Sequence, residues 1–155
     1  MNRSARLLQH KLLLLCLVFL SLFALTACGK KQSKEEQAYL TELSVFFESL
    51  SHYDAQMASI DPAGENASEE LLKTIDNMAN DSARVASLEA PESYAEVASS
   101  AVRLSLEMQK AKDSYHKAFE SEAFDENAYA EGNASYEKAN AELQQMLTLL
   151  NPEAE

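Results

Sequence analysis

The chain has 155 residues and carries 25 acidic against 13 basic side chains, a net charge of −12. That balance argues against binding nucleic acid through its phosphates, which needs a basic surface. Only three Gly, three Pro and no Trp occur amid abundant Ala, Glu, Leu and Ser, so a few long helices are favoured over a β-sandwich or a phosphate-cradling α/β enzyme.

Arg3, Arg6 and Lys11 open the chain without an acidic neighbour, and Leu12 to Leu25 is almost unbroken hydrocarbon. A basic start followed by a short apolar run is the pattern of an export signal. Fourteen helical residues would span about 21 Å, short of the roughly 30 Å hydrocarbon core of a bilayer, so a permanent membrane span is the weaker reading. Leu25-Thr26-Ala27-Cys28 then resembles the lipobox of bacterial lipoproteins. The resemblance implies a signal peptide over 1–27 that is cleaved, and a covalent diacylglyceryl lipid, with palmitate-type chains, on Cys28 as the mature N-terminus. Cys16 lies in the discarded run, so the folded part keeps no thiol for a disulfide or a metal.

Residues 28–34, Cys-Gly-Lys-Lys-Gln-Ser-Lys, read as a lipid-anchored basic tether, with Lys30, Lys31 and Lys34 expected to meet an anionic membrane surface, weighed against a solvated linker whose lysines merely suit export. Residues 35–155 hold 7 basic and 25 acidic groups, net −18, and form an acidic body.

Within the body, Pro62, Pro91 and Pro152 punctuate runs of helical period. The first helix is expected over about 34–60, with Tyr39, Leu43, Phe46, Leu50, Tyr53, Met57 and Ile60 on one stripe. The second is expected over about 67–89, with Asn66 and Glu69 as a capping box. Pro91 is placed at the first position of the third helix. Tyr94, Val97, Ala101, Leu104, Met108, Ala111, Tyr115 and Ala118 keep a 3-4 spacing, as do Tyr129, Gly132, Tyr136, Ala139, Leu143, Met146 and Leu150. A turn at 121–127, capped by Asp125, folds these two into an antiparallel hairpin whose facing residue numbers add to 247. Most large side chains then meet small ones, as close packing requires, and Gly132 receives Tyr115. Helices one and two admit a similar register adding to 128. The fold expected is all-α: an antiparallel up-down four-helix bundle made of two hairpins.

No catalytic triad elbow, phosphate loop, zinc motif or haem attachment is present. The paired Glu-x-x-His motifs of a di-iron bundle are also missing. An enzyme is therefore not expected, and neither a cofactor nor a resident metal is assigned. Two carboxylate and imidazole pairs at helical spacing, Glu48 with His52 and His116 with Glu120, are candidate cation pairs, weighed against ordinary surface histidines. Tyr115, Phe119, Phe124, Tyr129 and Tyr136 gather near the second hairpin turn and are candidate docking aromatics, weighed against plain packing.

With its Cys28-Gly29-Lys30-Lys31 start and its Ala90-Pro91-Glu92-Ser93-Tyr94 opening of a long heptad hairpin, the chain resembles small helical lipoproteins of Gram-positive bacteria. The resemblance implies a lipid-anchored protein on the extracytoplasmic face of a bacterial membrane, the cell membrane in a Gram-positive organism. Its expected task is a non-enzymatic binding or protein-interaction module at the cell envelope, with an envelope protein as partner. Two alternatives stand beside it: a substrate- or cation-binding lipoprotein feeding a transporter or sensor, and a structural or envelope-stress component.

Overall fold

The structure, a computed structural model, describes residues 32–151. The expected signal peptide, Cys28, Lys30 and Lys31 lie outside the described residues. Four helices follow one another: α1 (Lys34–Ser59), α2 (Ala67–Ala86), α3 (Ala95–Glu120) and α4 (Glu126–Leu150), with a 3-10 turn at Glu92–Tyr94 leading into α3. No strand occurs among the described residues. The fold is the all-α bundle the periodicity predicts.

Helix boundaries depart from expectation where local hydrogen bonds decide them. Ser33 caps α1: the Glu36 N–H donates to Ser33 Oγ at 3.1 Å and the Ser33 N–H donates to Glu36 Oε2 at 2.8 Å. This reciprocal box begins the helix at Lys34, the residue expected to end the tether. The box expected at Asn66 does not form, because Asn66 has a ψ of 8° rather than the extended backbone from which a cap side chain reaches forward. An Asx turn precedes α2 instead, with the Ala63 N–H donating to Asp61 Oδ1 at 3.0 Å. Helix α2 ends at Ala86 rather than 89, where the Ser87 hydroxyl ties back to the Arg84 carbonyl at 2.7 Å. Pro91 is extended (φ −59°, ψ 152°) and precedes the 3-10 turn, so α3 starts four residues beyond it.

The helices pack in chain order, α3 and α4 most closely, α2 on α3 and α1 on α2. In the second hairpin the register adding to 247 is observed. A Cβ built on Gly132 would stand 3.1 Å from Tyr115 Cδ1, so the ring lies on the glycine backbone. Met108 with Ala139, Leu104 with Leu143, and Ala101 with Met146 are all buried. The Arg103 Nε donates to Glu142 Oε1 at 2.9 Å across the same seam.

The first hairpin is looser. Leu43, Phe46, Ser82 and Val85, which the register adding to 128 pairs, are all buried. Beyond them Leu50, Tyr53, Met57 and Ile60 are only half-buried, against the expectation of a continuous core stripe. The Tyr53 hydroxyl donates to Asp81 Oδ2 at 2.8 Å, six residues farther along α2 than its expected layer partner Ile75. The phenol satisfies its polar end at a carboxylate near the surface, and that requirement outweighs ideal stripe packing.

Three side-chain contacts fix α2 against α3. Asp76 meets His116 at 2.9 Å and Lys112 at 3.7 Å, and Gln109 Nε2 donates to the Ala79 carbonyl at 3.3 Å. In that register Glu70 is level with Glu120. The α1/α2 loop and the α3/α4 turn therefore share one end of the bundle, and Ser33, where the chain enters, is at the other.

Candidate functional site

At the α3/α4 turn the chain leaves the helix at Ser121 and re-enters at Glu126. Asp125 is the cap, its Oδ1 accepting from the Asn127 and Ala128 N–H groups at 3.0 Å each. Those backbone donors, the Ala128 N–H foremost, with Lys117 3.6 Å away, hold the Asp125 carboxyl below its ordinary value. The turn is thereby fixed, and it presents four aromatic rings.

Tyr115 and Tyr129 at 5.6 Å and Phe119 and Tyr129 at 5.9 Å meet edge to face, while Phe119 and Phe124 at 5.3 Å and Phe124 and Tyr129 at 5.5 Å meet tilted. Each such pair is worth about 0.5–1.5 kcal/mol beyond its buried area. Tyr115 is the buried root of the cluster, and its hydroxyl donates to Asn133 Oδ1 at 2.6 Å. Burial, followed by the neighbouring Tyr129, Tyr136 and Glu137, pushes its pKa up, so it stays a neutral donor. Phe119 and Tyr129 are half-buried, and Phe124 at the apex is 52% exposed. The four rings expected as docking aromatics are therefore contiguous. Tyr136, the fifth, lies two turns down α4, where burial and then the charge of Asp54 raise its pKa.

The candidate cation pairs fare differently. His52 is exposed and its Nε2 lies 3.0 Å from Gln56 Nε2 rather than on Glu48. His116 does meet Glu120, Nδ1 to Oε1 at 2.8 Å, and its Nε2 meets Asp76 Oδ1 at 2.9 Å. Burial opposes the imidazolium, but hydrogen bonds to Glu120 and Asp76 together with their charges outweigh it and raise the His116 pKa. The two carboxylates engage opposite ring nitrogens, so together they clamp the ring between α2 and α3 and do not converge on one point. Among the described residues no group of three or more His, Cys, Asp or Glu is arranged to hold a metal ion. Asp76 was not legible as a partner, because it is 40 residues from His116 and only the α2/α3 register brings it close.

A second feature, unpredicted from sequence, lies at the opposite end. A half-open groove of about 600 Å³ runs between the start of α1 and the α2/α3 connection, with Glu35, Glu42, Glu89, Tyr39 and Leu88 on its walls. Tyr39 is 4% exposed and packs on Tyr94 at 5.6 Å, and its hydroxyl is buried with no hydrogen-bond partner among the described residues. Burial raises the Tyr39 pKa. Glu42 is already engaged by Arg84 at 2.6 Å.

No helix among the described residues is long and apolar enough to cross a membrane. In comparisons with known proteins, no family, no curated protein and no solved structure matches the chain.

Proposed function

We propose that the chain is a lipid-anchored, extracytoplasmic lipoprotein whose helical bundle is a non-enzymatic protein-interaction module at the bacterial cell envelope. The anchor rests on the lipobox residues Leu25-Thr26-Ala27-Cys28. The interaction role rests on one observation: a contiguous aromatic cluster with an exposed Phe124 at the bundle end opposite Ser33. A helix of 26 residues is about 39 Å long, so the cluster is displayed far from the tether's attachment. Exposed aromatic clusters in otherwise polar surfaces mark protein contacts more often than chemistry.

Two measurements test this. Cells fed a labelled fatty acid should label the wild-type chain and not C28A; equal labelling would end the lipoprotein reading. A photo-crosslinking amino acid at position 124 should capture an envelope protein in living cells, whereas the same group at Val102, exposed on the outer face of α3, should not.

The groove beside Tyr39 favours a second reading, a solute-binding lipoprotein, since its volume is in the range of small-molecule sites. Its carboxylates would select a small amine. Shifts of the Tyr39 and Leu88 resonances on adding putrescine would support that reading, and unchanged resonances at millimolar amine would remove it.

A further inference from the structure

The bundle end that carries the aromatic tip is predominantly acidic. Level with it are Asp61 and Glu65 of the α1/α2 loop, Glu69 and Glu70 in the first turn of α2, and Glu120, Glu122, Asp125 and Glu126 around the α3/α4 turn. All but Asp125 are exposed. Against these eight carboxylates stand Lys73 and Lys117, and Lys117 is drawn onto Asp125 at 3.6 Å. An exposed Phe124 thus shares its end of the bundle with these carboxylates.

That combination selects the occupant. A second copy of the chain would bring the same negative rim against this one, and an anionic bilayer or a nucleic acid would be repelled in the same way. A polypeptide that carries lysine or arginine around an apolar side chain satisfies both parts: its apolar group covers Phe124 and half-buried Phe119, and its cations meet the rim. We infer that the α3/α4 tip is a docking surface for a basic polypeptide segment bearing an apolar anchor. This rests on the protein-interaction reading above and adds the chemistry of the partner.

The chain has no Trp, so F124W supplies a single fluorescent reporter at the tip and V102W one on the outer face of α3. The full chain, reconstituted in phosphatidylcholine vesicles, is titrated with three short Trp-free peptides of alternating pattern: Lys/Leu, Glu/Leu and Lys/Ser. The Lys/Leu peptide should blue-shift the F124W emission and leave V102W unchanged. Its affinity should fall roughly ten-fold or more between 50 and 300 mM salt, and by a similar factor when E120Q, E122Q and E126Q are added to F124W. The Lys/Ser peptide should bind at least ten-fold more weakly, lacking the anchor.

Equal response to the Glu/Leu peptide, to phosphatidylglycerol vesicles, or to simple concentration of the protein would overturn the inference in favour of a general apolar patch, a lipid contact or a self-contact respectively. So would an equal response at V102W. The cellular crosslink decides the underlying reading separately. Capture at position 124 with no peptide selectivity removes the basic partner and keeps the docking role, whereas selectivity without capture removes the cellular docking role and the basic partner with it.

Discussion

Gly132 shows how one residue joins helix propensity to packing. A methyl group there would lie 3.1, 3.2 and 3.3 Å from three carbons of the Tyr115 ring. The ring has little freedom to yield, being held by Tyr129 at 5.6 Å and by its hydroxyl on Asn133 at 2.6 Å. Glycine costs the helix about 1 kcal/mol relative to alanine. Overpacking a tight core costs about 1–3 kcal/mol, so G132A should destabilise by roughly 1 kcal/mol in urea denaturation. In a Y115A background the obstruction is gone, and the same substitution should stabilise by about 1 kcal/mol. A stabilising G132A in the wild-type background would show that the ring can move aside.

His116 gives the second residue-scale prediction. Its folded pKa is raised by Glu120 and Asp76 against the opposing effect of burial, so folding takes up a proton in the window above the ordinary histidine value of about 6.5. The stability this contributes is full below that value and is lost as pH rises through the folded pKa. Imidazole titration followed by NMR should place the His116 midpoint above 6.5. Stability should fall between pH 6 and pH 9 by an increment that H116Q lacks. Parallel pH profiles for the two proteins would mean that the clamp between α2 and α3 contributes nothing.

At the scale of elements, the two hairpins differ in how firmly they are held. Helix α3 buries nine residues along its whole length, from Val97 to Ala118. Helix α1 buries four, all between Tyr39 and Phe47. The free energy of local opening follows the apolar area enclosed, so amides of α1 beyond Leu50 should exchange with deuterium well before those of the middle of α3. Truncation should follow the same order. L104A removes a side chain that is 4% exposed and should cost about 2–5 kcal/mol, whereas L50A, half-buried, should cost about 1 kcal/mol. Similar protection and similar costs in the two helices would contradict the looser first hairpin.

This difference also marks how far the sequence could be read. The 3-4 spacing of α3 and α4 was enough to give their register, because alternating large and small side chains leave one way to interleave. The α1 stripe has the same period, yet the Tyr53 hydroxyl is bonded to Asp81. Periodicity records which face is apolar and carries no information about where a phenol's hydroxyl is satisfied. The docking aromatics were legible because they flank one turn and are close in sequence. The rim around them was not, since Glu69 and Glu70 join Glu120 only through the α2/α3 contacts at Asp76, Ala79, Gln109, Lys112 and His116.

For the whole molecule, the decisive quantity is the charge of the body, net −18 over residues 35–155. Five of its seven basic side chains are already spent on carboxylates: Arg84 on Glu42, Arg103 on Glu142, Lys110 on Glu107, Lys112 on Asp76 and Lys117 on Asp125. Exposed pairs of this kind contribute about 0–1 kcal/mol each and weaken with salt. The remaining carboxylates repel one another within the screening length, which shortens from about 30 Å at 0.01 M salt to about 8 Å at physiological ionic strength, and this repulsion is relieved when the chain unfolds. Salt therefore acts on two opposed contributions. The repulsion involves about eighteen uncompensated charges and the attraction only five pairs, so the balance favours screening. Raising sodium chloride from 20 to 300 mM should stabilise the protein by on the order of 1 kcal/mol, a rise in Tm of about 4 °C for a domain of this size. A fall in Tm over the same range would mean that the five ion pairs, rather than the excess carboxylates, dominate the electrostatics of the fold. The acidic rim of the tip would then be one part of a surface whose charges are largely compensated.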